Sequence, residues 1–275
     1  MGASGRGSRS GLVIVTVRAP AKLTLSLRIT GVRPDGYHLI DAEMVTLNLA
    51  DVLTIDTDGA GLSAGGPFSA GVPLDHANLV AKALRLLDRT AAIHIDKYIP
   101  HGGGLGGGSA DAAAVLTWAG CTDLVAASRL GADVAFCMIG GRAKVRGIGD
   151  QITSLDPVER DFTLVIPPLS CSTPLVYRAW DDLGGPTGDG PNDLTPAALV
   201  VEPQLATWRD RIAEASGSEP TLAGSGATWF LAGHHRELAE ALVGARVVLT
   251  STDVDSAARN GSKMTTTAHR SERSW

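Results

Sequence analysis

Apolar and polar positions alternate in several separate stretches of the chain, and these set the predicted elements. "LVIVTVR" (12–18) is a β-strand run, and after Ala19 and Pro20 "KLTLSLRI" (22–29) alternates at period two. Leu23, Leu25, Leu27 and Ile29 point one way and Lys22, Thr24, Ser26 and Arg28 the other, which predicts a strand with a polar working face. "RPDGYH" (33–38) carries Pro-Asp-Gly turn chemistry, and "MVTLNLADVLTIDT" (44–57) alternates again before a Gly-rich turn region to Pro73. Helical spacing follows over 78–87, a strand over 92–99, helices over 109–118 and 123–130, and a strand over 142–147. The pattern then restarts. "FTLVIPP" reads as a strand, and "STPLVYRAWDDL" as a helix with Ser/Thr capping and Pro174 in its first turn. "NDLTPAAL" and 206–215 read as helices and 246–252 as a late strand, with no internal repeat or heptad pattern.

This mixture lacks the βαβα rhythm of a parallel sheet, so the expected class is α+β in two lobes. The predicted division is 12–155 and 156–258, with a disordered tail at 1–11 and a polar tail at 259–275. Composition is ordinary for a globular chain of 275 residues: 44% hydrophobic and 19% charged. A net charge of −5 disfavours a nucleic-acid or anionic-membrane partner, so any phosphate must be handled by local donors and a metal. Cys121, Cys137 and Cys171 are odd in number, widely spaced and without C-x-x-C, which argues against a disulfide scaffold or structural zinc and for a reducing cytoplasm. The apolar stretch 12–17 is too short for a signal core or a membrane span, and Arg6 stands where a myristoylation signal wants Ser or Thr. Nothing in the sequence separates a monomer from a homodimer.

"PHGGGLGGGSAD" (100–111) changes the picture: six glycines occupy the seven positions 102–108. Each costs roughly 0.5–1 kcal/mol relative to alanine in a regular element, so something must use the exposed backbone. A strand, a glycine loop and a helix opening at Ser109 present free N–H groups and a positive helix end, which together make an anion site. The alternative is a flexible linker, against which the bracketing strand and helix argue. Walker A is absent because no Lys follows the glycines. Gly102, Gly104 and Gly107 satisfy G-x-G-x-x-G, but a dinucleotide fold also wants an acid ending a second strand about 20 residues on. No strand is convincing there.

The flanking residues resemble those of the GHMP kinases (galacto-, homoserine, mevalonate and phosphomevalonate kinases). "PHGGGLGGGSADAA" is similar to their phosphate-loop motif, with "APAKLTLSLRI" (19–29) before it and "LAGSGATWF" (222–230) after it in matching order. "RPDGYH", "NLVAKAL", "LGADVAFCMIGGRAKVRGIGD", "STPLVY" and "NDLTPAAL" resemble blocks of the branch that phosphorylates the 2-hydroxyl of a cytidine diphosphate-linked methylerythritol in non-mevalonate isoprenoid synthesis. The resemblance spans roughly 15–255. It implies ATP and Mg²⁺, with the site in a cleft between lobes. Short of that branch, the residues suit another GHMP kinase of a small polyol or amino alcohol, or a nucleotide-binding relative without turnover.

Phosphoryl transfer needs a phosphate cradle, Mg²⁺, a cation near the transferred group and a carboxylate at the accepting hydroxyl. The resemblance places the cradle at Pro100, His101, Gly102, Gly103, Gly104, Leu105, Gly106, Gly107, Gly108, Ser109 and Ala110, with Ser109 a candidate metal contact. It makes Asp133, in "LGADVAF", the catalytic acid; on its residues alone Asp133 is equally a helix-terminating Asp beside Gly131. Lys22 matches the active-site lysine, where an isolated strand lysine would simply be solvated. Tyr37 would stack on cytosine, His38 would hydrogen-bond its edge and Tyr177 would close the other face, with Thr24 and Thr173 in the same substrate pocket. Without the resemblance Tyr37 and His38 are a turn tyrosine and a surface histidine. Asn78 and Lys97 match positions near ATP's adenine end. Thr24 stands where the family usually has Asn, His101 replaces a usual Met and Ala135 a usual Pro. The stretches 88–93 and 119–130 are shorter than usual.

Overall fold

The computed structural model describes residues 14–187 and 190–261. The tail expected at 1–11 lies outside these residues, as does the polar tail from 262 on. A long antiparallel ribbon of β1 (Ile14–Val32) and β2 (His38–Asp56) opens the chain. There follow β3 (Gly61–Gly65), α1 (Leu79–Leu86), β4 (Ala92–Asp96), α2 (Gly107–Trp118), α3 (Leu124–Leu130), α4 (Val134–Ile139), β5 (Arg142–Gly147) and β6 (Gln151–Leu155). The second run is β7 (Asp161–Ile166), α5 (Thr173–Asp182), α6 (Thr195–Val201), α7 (Gln204–Ser216), β8 (Thr221–Leu222), β9 (Trp229–Ala232), α8 (Leu238–Ala241), β10 (Arg246–Ser251) and α9 (Ser256–Gly261). The class is α+β, as the broken rhythm of the sequence implies.

β1 pairs with one edge of β2, while β4 and β5 take the two halves of the other edge, at Val52–Asp56 and Ile40–Val45. β3 and β6 extend this six-stranded sheet outward, and the second sheet runs β10-β7-β9-β8. Every pairing among the described strands is antiparallel except β3 with β4.

The two predicted strands at 12–18 and 22–29 are one, running through Pro20. This is tolerated because β1 is an edge strand, where a missing N–H breaks no ladder bond. The strict alternation also fails, for a specific reason. Thr24 pairs with Met44 and Ser26 with Glu43, so Leu25 is an extra residue with no partner, a β-bulge. Beyond it the faces exchange. Leu27 and Ile29 pair with Ala42 and Ile40, on the face where Lys22 and Thr24 meet Thr46 and Met44.

This exchange hands β1 from one core to another. Val17, Ala19, Ala21 and Leu23 pack in a first core with α1, α2 and Phe136's neighbours Val134 and Met138. Leu27 and Ile29 join a second core with Val176, Trp180, Leu205, Trp208 and Trp229. The first core also takes in Phe162, Leu164 and Phe230 from the second sheet, with the two phenylalanine rings 5.9 Å apart edge to face.

Candidate active site

Between the ribbon, the glycine loop and α5 lies a cavity of about 390 Å³. Its walls include Lys22, Thr24, His38, Asn78, Lys97, Asp133, Thr173 and Tyr177. From the loop come Pro100, His101, Gly102, Gly103, Gly104, Gly106, Gly107, Gly108 and Ser109. Leu105 and Ala110 do not reach it: both side chains are buried in the first core. Tyr37 is also outside its walls, 59% exposed, with the Arg33 guanidinium 5.9 Å from its ring.

Two carbonyls of the glycine loop are tied back into the protein. Leu105 O accepts from Lys22 N at 3.1 Å and Gly103 O from Thr228 N at 3.3 Å. The helix opens at Gly107, two residues earlier than Ser109, and Gly106 takes the N-cap position at φ +68° with no side-chain cap. Ala110 N–H makes the first bond back, to Gly106 O, which leaves the N–H groups of Gly107, Gly108 and Ser109 ahead of the helical ladder. Packing explains two of the glycines. A Cβ on Gly104 would overlap the Ala223 carbonyl oxygen, and one on Gly106 would sit 2.8 Å from Lys22 Cγ.

Lys22, 5% exposed, places its Nζ 3.2 Å from Asp133 Oδ2 and 3.1 Å from Thr24 Oγ1. Asp133 ends no helix. It occupies the N-cap of α4, yet its side chain makes no capping bond. A capping Asp is worth about 1 kcal/mol, so turning the carboxylate to the lysine forgoes a stabilising use. Its side chain keeps 28% exposure toward the cavity.

Asn78 caps α1, its oxygen accepting from Val80 N at 2.8 Å and its amide donating to Pro73 O. Ser172, the N-cap residue of α5, makes no such bond, contrary to the expected Ser/Thr cap. Thr173 instead meets Ser225 Oγ at 2.7 Å.

Lys97 is not a solvated strand lysine. It is 2% exposed and donates to both Asp51 and Asp111, the latter at 2.7 Å. Asp51 also accepts from Tyr98 N and Ile99 N, so this one carboxylate ties β2 to the start of the glycine loop. Burial raises the Asp111 carboxyl to about 7 against the pull of Lys97. Its Oδ1 has no partner among the described residues and the residue lines the cavity. Sequence reasoning missed Asp51 and Asp111; two carboxylates flanking a buried lysine show only once β2, β4 and α2 are assembled. It also missed Gly224 and Ser225 on the cavity wall, which lie within the "LAGSGATWF" stretch.

Burial, with Asp133 adding to it, pushes the Tyr177 hydroxyl above its ordinary value, so this ring stays a neutral wall. Burial likewise raises Cys137, and Cys171 to about 11, which leaves neither as a thiolate nucleophile. No group of three or more His, Cys, Asp or Glu gathers as a metal site among the described residues. No helix among them is long and apolar enough to cross a membrane.

A phosphate-type glycine loop facing a Lys–Asp pair across one cleft defines a small-molecule kinase of the GHMP class, and the model of the GHMP kinases N terminal domain matches residues 78–155. The fold is shared with homoserine kinase from Cytophaga hutchinsonii, at 16% identity and TM-score 0.57 over 91% of this chain and 98% of that one. A crystal structure of a 4-(cytidine 5'-diphospho)-2C-methyl-D-erythritol kinase superposes at TM-score 0.71, with 30% identity over 86% of this chain and 98% of the other. The 4-diphosphocytidyl-2-C-methyl-D-erythritol kinase of Paracoccus denitrificans is 38% identical over 235 residues, 77% of this chain and 84% of that protein. The Ruegeria pomeroyi enzyme of the same name is 37% identical over 240 residues, 77% of this chain and 86% of that protein. The chain belongs to the 4-diphosphocytidyl-2-C-methyl-D-erythritol kinase family.

Proposed function

We propose that the chain transfers the γ-phosphate of ATP to the 2-hydroxyl of 4-diphosphocytidyl-2-C-methyl-D-erythritol. The observation that carries this reading is the Lys22–Asp133 pair on a cavity walled by the glycine loop and by His38 and Tyr177. Asp133 takes the proton of the accepting hydroxyl, which grows acidic late in a loose transfer. Lys22 keeps that carboxylate ionised and meets the charge spread over the moving phosphoryl oxygens. The N–H groups of Gly107, Gly108 and Ser109 hold the phosphates, helped by the positive end of α2. Lys97 has two of its three N–H donors on carboxylates, so one is open to the nucleotide.

Mg²⁺ fits this donor set. It takes one or two protein oxygens and draws the rest from phosphates and water, so the Ser109 hydroxyl on the cavity wall suffices without a metal cluster. Bound there with ATP, it would neutralise charge on the β- and γ-phosphates. His38 and Tyr177 receive the cytosine, and Tyr37 covers it once the 33–37 turn brings its ring inward. The reading keeps the lobe boundary at 155 and 156, between the end of β6 and the start of β7, and a cytoplasmic site of action. A coupled assay of ADP release with and without the cytidine substrate tests it. Release that depends on that substrate is expected, and release that is indifferent to it would overturn the assignment.

A further inference from the structure

One face of α5 holds the His38 ring. Nε2 lies 2.8 Å from Asp181 Oδ1. The ring centroid is 4.7 Å from that of Tyr177, tilted by 42°, and 5.5 Å from that of Trp180, edge-on at 82°. Tyr177, Trp180 and Asp181 stand at i, i+3 and i+4, the spacing that brings side chains together on one side of a helix. His38 itself comes from the start of β2. Its side chain is 11% exposed against 47% for Asp181. A pair so open to water adds little to stability. Its effect is orientation.

A carboxylate only accepts, so Nε2 carries the proton it donates. In the neutral ring Nδ1 is then an acceptor, and it has no hydrogen-bond partner among the described residues. His38 lines the cavity. Cytosine offers a 4-amino donor where uracil offers a carbonyl acceptor. An acceptor fixed on the wall takes the first and repels the second.

We propose that Asp181 is a positioning residue for base selection. It holds His38 in the tautomer and orientation whose Nδ1 accepts from the 4-amino group of the cytidine substrate. This rests on the reading that His38 meets the base edge.

The test compares Asp181→Ala with Asp182→Ala, which removes the same charge from the next, exposed position of the helix. CMP and UMP compete against the cytidine substrate, and long-range ¹⁵N NMR reads which His38 nitrogen carries the proton. In the wild type CMP should outcompete UMP by roughly ten-fold or more, with the proton on Nε2. Asp181→Ala should reduce that preference about five-fold, the worth of one hydrogen bond, and raise KM for the cytidine substrate similarly. kcat, KM for ATP and the Asp182→Ala enzyme should stay at wild-type values. A wild-type proton on Nδ1 overturns the proposal even without a variant. An Asp181→Ala enzyme that keeps the preference overturns the role of Asp181 and leaves the reading of His38 intact. A wild type that does not tell CMP from UMP takes down both.

Discussion

Replacing Asp133 by Asn separates charge and proton transfer from shape. The variant keeps an oxygen at the position that now lies 3.2 Å from Lys22 Nζ, so the lysine retains an acceptor as well as Thr24 Oγ1. At that distance two unit charges attract by about 5 kcal/mol at an effective dielectric constant of 20. The cost of stripping water from a lysine buried to 5% exposure is the same in both enzymes, so the variant leaves that charge with only neutral acceptors. Asp133 makes no capping bond, so α4 loses nothing. The fold should therefore lose about 1–3 kcal/mol, less than a fully buried pair would because the asparagine oxygen and Thr24 still accept from the lysine, and KM for ATP should hold because the glycine loop is untouched. Turnover should fall about 10²–10⁴-fold, the scale of general acid–base help. Steady-state ADP release beside a thermal melt measures both. A folded Asp133→Asn enzyme with near wild-type kcat would remove the carboxylate from the mechanism, and a collapse of the melt would show that it serves the fold.

The loop glycines should divide by what their Cβ would meet. Gly104→Ala, at φ +77° and against the Ala223 carbonyl, should destabilise by about 2 kcal/mol or more in a denaturant melt. Gly108→Ala meets only Leu79 Cδ1 at 3.8 Å, so it should fold normally yet raise KM for ATP several-fold if phosphate approaches that backbone; an unchanged KM would refute the cradle there. Tyr37→Ala should raise KM for the cytidine substrate roughly ten-fold from about 1–3 kcal/mol of lost stacking. Tyr37→Phe should be silent, and equal kinetics for all three enzymes would take Tyr37 out of the site. The Asp111 carboxyl, raised to about 7 chiefly by burial, lends stability that is complete below about pH 4 and is lost as pH rises through 7. Asp111→Asn should therefore gain on the wild type in Tm at pH 8 relative to pH 5; a difference independent of pH would mean that Lys97 keeps the carboxyl ionised throughout.

The parts of this site that act through local backbone were legible in the sequence. The glycine loop reads as a loop because only glycine sustains its positive φ angles, and Lys22 stands out on a polar strand face. Asp133 was ambiguous by itself, since one helix ends at Leu130 and the next begins at Val134, and the resemblance rather than its spacing singled it out. What escaped depends on assembly. β3, "GLSAG", has no β-forming composition and exists because β4 offers it an edge. The partners of Lys97 lie 46 and 14 residues away in the chain. Asp181 looked like the polar end of a helix until His38 arrived from 143 residues earlier. Leu25 was invisible for a different reason: a bulge adds a residue without altering the alternation on the page.

That one unpaired leucine also governs where this chain can change length. Side chains in a strand alternate with period two, so losing a single residue turns everything beyond it over. Leu25 is the exception: deleting it would close the bulge and leave Leu27 and Ile29 on the face they share with Lys22 and Thr24, whereas losing two residues between Lys22 and Leu27 would turn both over. The segment between Lys22 and Leu27 therefore tolerates the loss of one residue but not of two. The connection after β3 pairs with no strand over 67–77 and is under no such parity. Natural variation or engineering in this family should add and remove residues there, and between the lysine and the second core should lose one residue or none.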